Sequence, residues 1–353
     1  MEIAELGEFG LIRHLTENIE LKNPETKRGA GDDCAVLAFE AGRQVLVTTD
    51  LLLEGIHFDL QYVPLIHLGY KSAMVNLSDI YAMNGRPRQM TVSIGLSKRF
   101  TVEDIEAFYE GLRLACDAHG CDIVGGDTSA SLTGLTISIT CIGDARPEDV
   151  VYRHGAQDTD LICVSGDLGA AYMGLQLLER EKTVYNSQFK IHNSKLEENS
   201  NFQPDFSGYE YLLERQLKPE ARKDIIEALG KEGIHPTAMM DISDGLSSEL
   251  FHICTQSHTG CRIYEERLPL DYQTASLAEE LNMNVTTCAL NGGEDYELLF
   301  TVPLTMHDRV ASIPGVTVIG HITKPELGLL LVCRDGVEME LKAQGWNPLK
   351  SED

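Results

Sequence analysis

Apolar residues in this chain fall into short runs with two spacings. CAVLAF (34–39), QVLVTTD (44–50), QMTVSIGL (89–96), CDIVGGDTS (121–129) and LTISITCIG (135–143) show the continuous or alternating pattern of strands. GEFGLIRHLTENI (7–19), LGYKSAMVNLSDIYAMNG (68–85) and residues 102–118 show the three-to-four spacing of helices. The second of these helices is closed by Asn84-Gly85 and Pro87. The third opens on Thr101 and Asp104, a capping box with Asp in place of the usual Glu. Between the first helix and the first strand, LKNPETKRGAG (21–31) is polar, basic and Gly-rich, and predicts a mobile loop.

The second half repeats the alternation. Strands are predicted at LICVSG (161–166), TAMMDIS (237–243), YELLFTV (296–302) and VTVIGHI (316–322), and a hairpin across RDG (334–336). Helices are predicted over 169–181, 208–232, 243–257, 274–282 and 305–313. The stretch 144–160 is polar and marks a domain boundary, giving domains 1–150 and 151–353. Residues 183–207 are polar and aperiodic and predict a surface insertion. Strands alternating with helices in both halves predict an α/β (α+β) chain, each domain a β-sheet covered by helices.

Composition changes this picture little, and charge changes it more. The 353 residues suit two domains; 43% are hydrophobic and 24% charged, as in an ordinary soluble globular protein. No run reaches about 18 consecutive apolar residues, and the N-terminus lacks the pattern of a signal peptide, so no membrane span and a cytoplasmic location are expected. The nine cysteines form no CxxC pair and read as buried thiols rather than a disulfide framework or zinc site. With 55 acidic against 29 basic residues the formal net charge is −26, which repels nucleic acid and anionic membranes. An anionic ligand would need a cation between it and such a surface, and divalent metals serve that purpose.

The acids recur at junctions: Asp32 and Asp33 in GAGDDCAV, Asp50 in VTTDLLLEGIHF, Asp79 in MVNLSDIYAMNG, Asp127 in VGGDTS, Asp241 and Asp244 in MMDISDGL, Glu294 and Asp295 in NGGEDYEL. Taken singly, an Asp after a strand is ordinarily a turn former or helix N-cap. Asp79 differs, because it falls inside an apolar helical stretch where a lone carboxylate is costly to bury. Taken together, carboxylates at strand ends, Thr48 and Thr49 beside Asp50, and glycines at 125–126 and 292–293 are a set of groups able to hold a nucleotide triphosphate through hard cations. The commoner nucleotide signatures are absent: there is no GxxxxGK[ST], GAGDDC fails GxGxxG, and GYKS (69–72) is no phosphate loop.

In order along the chain, GDDCAVL, TTDLLLEGIHF, VNLSDIYAMNGRP, GGDTS, MDISDGLSSEL and GGEDYELLFTV resemble the thiamine-monophosphate kinase family, part of the aminoimidazole ribonucleotide synthetase-like superfamily. The resemblance implies conversion of thiamine monophosphate and ATP to thiamine diphosphate and ADP, with several Mg²⁺ ions, and a homodimer through the N-terminal sheets. Carried over by position, it implies metal ligands Asp33, Asp50, Asp79, Asp127, Asp241 and Asp244 with Thr48 and Thr49 assisting. It implies ATP contacts from Gly126, Arg153 and Ser243, and thiamine phosphate contacts from His57, Glu294 and Trp346. The basic loop around Lys27 and Arg28 is expected to order over the nucleotide. The polar stretch 183–207 is longer than the family's usual connection. Two other readings stand beside this one: a sister ATP-using synthetase of the superfamily, and a non-catalytic nucleotide-binding regulator. No reactive cysteine sits in a Gly-rich N-terminal loop and the chain ends LKSED rather than in a cysteine tail, which separates it from two of the sister enzymes.

Overall fold

A computed structural model describes residues 14–28, 36–192, 204 and 206–343. Asp32, Asp33 and Trp346, most of the predicted 7–19 helix, and residues 193–203 and 205 of the predicted insertion lie outside the described residues.

Two short strands, β1 (Thr26–Arg28) and β2 (Val36–Leu37), pair antiparallel. A four-stranded sheet follows from β3 (Gln44–Leu53), β4 (Arg86–Leu96), β5 (Asp122–Ala130) and β6 (Thr136–Ala145), in the order β3-β6-β4-β5. Only the β4–β5 pair is parallel. Helices α1 (Leu65–Ala82) and α2 (Val102–His119) belong to the same stretch of chain. The expected capping box at the start of α2 is present: the Thr101 hydroxyl oxygen accepts from the Asp104 N–H, and the Asp104 carboxylate accepts from the Thr101 N–H at 2.8 Å. The aliphatic residues of β4 and β6 point alternately into the core beneath α1, as period-two patterning requires.

The second half builds a seven-stranded mixed sheet, ordered β13-β12-β9-β11-β7-β10-β8. Its strands are β7 (Leu161–Ser165), β8 (Ala238–Asp241), β9 (Gly260–Tyr264), β10 (Leu298–Val302), β11 (Val316–Thr323), β12 (Leu329–Val332) and β13 (Glu338–Glu340). Its longer helices are α3 (Ala170–His192), α4 (Glu210–Leu217), α5 (Lys223–Lys231), α6 (Leu246–Ser257), α7 (Tyr272–Glu280) and α8 (Val285–Asn291). Strands β7 and β10 inside the sheet and β8 at its edge are all buried along their whole length, which is why their sequences read as continuous apolar runs.

Three expectations need correction. The first ten residues of the predicted aperiodic insertion continue α3 to His192, because TVYNSQFKIH (183–192) carries no Gly or Pro to stop a helix already under way. The predicted helix over 208–232 is two helices, broken at Lys218-Pro219, where proline disfavours a helical residue before it. The predicted mobile loop over 21–31 is anchored where it is described. Buried Asp122 accepts from the Lys22 N–H at 2.6 Å, the Asn23 N–H at 3.0 Å and the Thr26 hydroxyl at 2.7 Å, and Lys27 Nζ donates to the Pro24 carbonyl.

Asp122→Ala would leave those three donors without their acceptor. We expect it to lower the urea midpoint by the equivalent of about 3 kcal/mol; an unchanged midpoint would show that the strap at 22–26 contributes nothing to stability.

Candidate active-site cleft

Helix α1 decides where the site forms. Fourteen of its eighteen residues are buried, so its polar side chains must find partners in the protein rather than in water. Ser78 donates to Asp241 Oδ2 at 2.7 Å, and Lys71 Nζ donates to the Gln216 carbonyl oxygen at 2.9 Å and to Glu294 Oε2 at 3.1 Å. These contacts reach from the first half of the chain to the second and frame a cleft of about 950 Å³ between them.

Asp50, Asp79, Asp241, Asp244, Ser243, His57 and Glu294 all line this cleft. Each is placed by local chemistry. Asp50 lies on β3 with Thr48 on the same face, and the Thr48 hydroxyl donates to Asp79 Oδ2. Asp241 ends β8, and Asp244 follows in the turn before α6. The N-cap of α6 is Gly245 at φ +114°, with no side-chain cap, so the Asp244 carboxylate is not used to cap its helix. His57 Nδ1 accepts from the Leu53 N–H at 3.0 Å, which leaves the ring proton on Nε2.

The GGED loop is bound to the MDISDG loop. Glu294 N–H donates to the Ser243 carbonyl at 2.8 Å, and Gly293 packs so tightly there that a Cβ would lie 2.4 Å from that oxygen. Glu294 and Tyr296 both take left-handed backbone, φ +65° and +52°, a conformation that costs non-glycine residues energy. The neighbouring acids have structural work instead. Asp295 accepts from the Gly169 and Ala171 N–H groups before and within the first turn of α3. Glu297, fully buried, accepts from Arg215 at 2.6 Å, Arg222 at 2.5 Å and Ser165 at 2.5 Å.

Three carboxylates of the cleft, Asp50, Asp79 and Asp241, crowd one another in a largely buried wall, and Asp244 is exposed near them. Burial, and then the Asp79 charge, push Asp50 up to about 6 and Asp241 up to about 7. Burial raises Asp79 as well, opposed by the Thr48 hydrogen bond and the Arg153 charge, and raises Asp244 against the pull of His252 and Arg153. Arg153 itself lies outside the cleft lining, close enough for its charge to act on three of the acids. Asp50 Oδ2 is buried and accepts no hydrogen bond. Among the described residues no three acidic, histidine or cysteine side chains converge tightly enough to ligate one ion by themselves.

Three positions singled out from the sequence lie elsewhere. Thr49 points to the opposite face of β3 from Thr48, and its hydroxyl donates to the Ile139 carbonyl at 3.0 Å. Gly126 and Asp127 are on β5, at the far edge of the four-stranded sheet. Gly126 shares a row with Val92, Ile139 and Asp50, three strand spacings or roughly 14 Å from Asp50. A Cβ on Gly126 would meet the Val92 carbonyl oxygen at 1.7 Å, so close packing alone requires glycine there.

Several cleft residues carried no signal in the sequence. Lys71 sits in GYKS (69–72), which matches no phosphate loop. Tyr62, Tyr172, Glu179, Lys182 and Gln216 belong to no motif, and only the packing of the two halves brings them together. Glu249, a helical acid five residues after Asp244, accepts the Asp244 N–H at 3.0 Å. Burial pushes it up to about 8.

Residues 31–145 match the family described as AIR synthase related protein, N-terminal domain. The chain is 35% identical to the thiamine-monophosphate kinase of Aquifex aeolicus (strain VF5), over 98% of this chain and 99% of that one. Among solved structures it is similar to one described as AaThiL complexed with AMPPCP and TMP, at 34% identity and a TM-score of 0.73, covering 99% of both chains. It is also similar to thiamine-monophosphate kinase from Stenotrophomonas maltophilia K279a, at 30% identity and a TM-score of 0.75, covering 94% of this chain and 95% of that one. Identity at this level is spread over nearly the whole of both chains, and the fold is shared. The chain belongs to the thiamine-monophosphate kinase family and is an enzyme, a kinase, of that family.

Proposed function

We propose that this chain transfers the γ-phosphoryl group of ATP directly, in line, to the phosphate of thiamine monophosphate, forming thiamine diphosphate and ADP as the final step in making thiamine diphosphate. The observation that carries the reading is the single cleft into which both halves send Asp50, Asp79, Asp241, Asp244, His57 and Glu294. The related structure that holds AMPPCP and TMP supports it. The acceptor oxygen belongs to a phosphate monoester whose second pKa is about 6, so it is ionised near neutral pH and no side chain need act as general base.

Mg²⁺ fits this wall. The donors are hard carboxylate oxygens, and buried Asp50 Oδ2 has no other partner. Asp33, Asp50, Asp79, Asp127, Asp241 and Asp244, with Thr48, would hold the ions; the Thr49 hydroxyl, bonded to the Ile139 carbonyl on the opposite face, would not. Bound there, they supply the positive charge that phosphoryl transfer between two anions needs. Gly126, Arg153 and Ser243 would contact the nucleotide; His57, Glu294 and Trp346 would contact thiamine phosphate. Thr48 orients Asp79 and Ser78 orients Asp241 through their hydrogen bonds.

A homodimer completes the reading. The open face of the four-stranded sheet exposes Val45, Val47 and Leu51 of β3 at 48%, 65% and 52%, an apolar stripe suited to a second copy. Asp127 lies at the sheet edge opposite Asp50, so its place among the ligands requires that second copy. Among the described residues no helix is long and apolar enough to cross a membrane, and the described cysteines are free thiols. The free thiols support a place in the reducing cytoplasm.

Three measurements test the proposal. ADP release should depend on thiamine monophosphate, ATP and Mg²⁺ together, and Asp241→Asn should lower kcat at least about a hundredfold with the fold retained; nucleotide binding without turnover would instead identify a regulator. Inactive Asp127→Asn and Asp241→Asn chains, mixed and allowed to exchange, should recover roughly a quarter of wild-type activity if each site draws on two copies; no recovery from exchanged dimers would place both residues in one subunit's site.

The third concerns pH. Asp50 and Asp241 titrate near 6 and 7 when folded and near 4 when unfolded, so between those values the folded chain binds more protons. The stability they contribute is complete below about pH 4 and is lost as pH rises through 6 to 7. Mg²⁺ should therefore raise the Tm more at pH 8, where it meets ionised carboxylates, than at pH 5, where it competes with protons. An equal shift at both values would argue against these ligands.

A further inference from the structure

Glu294 reaches the cleft with one oxygen already engaged. Lys71 Nζ at 3.1 Å and Gln216 Nε2 at 2.9 Å both donate to Oε2, and neither donates to Oε1. The Glu294 side chain keeps 31% of its surface in the open cleft. Its backbone is held separately, by the N–H bond to Ser243 and the left-handed conformation behind it. The carboxylate is thus fixed from three directions, by α1, α4 and the MDISDG loop, before any ligand arrives.

Lys71 is an unusual residue to find there. It is only 5% exposed, in the middle of a buried helix, and an ammonium so far from water is costly unless its protons are accepted. The Gln216 carbonyl and Glu294 Oε2 accept two of them. The other lysine lining the cleft, Lys182, is held by Asp59 at 2.8 Å and Glu179 at 3.2 Å. Both lysines are therefore bound to protein carboxylates, not aimed at the place where phosphates would lie among the aspartates. Beside Glu294 the lining includes the rings of Tyr62 and Tyr172. A preset carboxylate oxygen in a cleft that is also lined by aromatic rings suits a flat nitrogen heterocycle that presents an N–H donor.

We propose that Lys71, assisted by Gln216, is a positioning residue for substrate recognition: by holding Oε2 it presents Glu294 Oε1 to an N–H donor on the heterocycle of the phosphate acceptor. This rests on the reading of Glu294 as a thiamine phosphate contact. In thiamine monophosphate the donor is the exocyclic amine of the aminopyrimidine. In oxythiamine monophosphate a carbonyl oxygen, an acceptor, takes the place of that amine, and the remaining N–H lies on the ring, so the exocyclic position would turn an acceptor toward the carboxylate.

The test compares steady-state kinetics of the full chain on these two acceptors, with ATP and Mg²⁺. The wild type should prefer the amine-bearing acceptor at least about tenfold in kcat/KM. Lys71→Met should raise KM for thiamine monophosphate about tenfold, leave KM for ATP within about twofold, and remove most of the preference between acceptors; Lys71→Arg should restore part of it. A general loss of stability would not move that preference. If Lys71→Met instead raises KM for ATP, or leaves the preference intact while Glu294→Gln abolishes it, the positioning role is overturned and the Glu294 contact stands. If Glu294→Gln changes neither KM nor preference, the contact itself fails and the inference with it. Should Lys71→Met not fold, Gln216→Leu removes only the second donor to Oε2 and is expected to lower the preference about threefold; an unchanged preference there overturns the proposal.

Discussion

A helix buried on almost every side cannot carry polar side chains unless the surrounding protein supplies their partners. Helix α1 carries Lys71, Ser78 and Asp79 into such a position, and the partners of the first two come from the other half of the chain: Glu294 and Gln216 for Lys71, Asp241 for Ser78. The requirement to satisfy one helix therefore sets the two halves against each other and assembles the cleft. Neither half alone holds the complete set of facing acids.

That assembly has an electrostatic cost. Asp50, Asp79 and Asp241 crowd within a largely dry wall, and burial raises all three above the ordinary carboxylate range. Neutral folds rarely keep such a group of acids without a compensating cation. Arg153 offsets part of the charge from outside the lining, while Lys71 and Lys182 are occupied by other acids. The uncompensated charge is the physical reason for reading the wall as a place for divalent ions that arrive with phosphates.

Acids one or two positions apart do unlike work here. Glu294 faces the cleft, Asp295 holds the start of α3, and Glu297 binds two arginines in the core. The same split separates Thr48, which orients Asp79, from Thr49, which bonds across β3 to β6 on the opposite face. Gly126, next to Asp127, is glycine because the Val92 carbonyl leaves no room for a Cβ. A motif is thus a mixture of ligand-facing and scaffold residues, and the strand period and local packing decide which is which.

Much of this was legible in the chain itself. The spacing of apolar residues marked most strands and helices, since burial on one face or two leaves periods of 3.6 or 2 that need no partner to be seen. The capping box at Thr101 and the acidic strand ends were equally local, and six ordered motifs carried the family. The sequence could not show that α3 runs on through a polar stretch, that Asp122 ties down residues 22–26, or that Asp127 lies a sheet's width from Asp50. Nor could it show that Lys71 meets Glu294, 223 residues away. Such contacts depend on how separate elements pack, and the residues that make them carry no periodicity or turn chemistry of their own. Local pattern determined the elements and the acids at their ends; only the tertiary structure decided which acids share one space, because that is set by the burial of a helix between two halves.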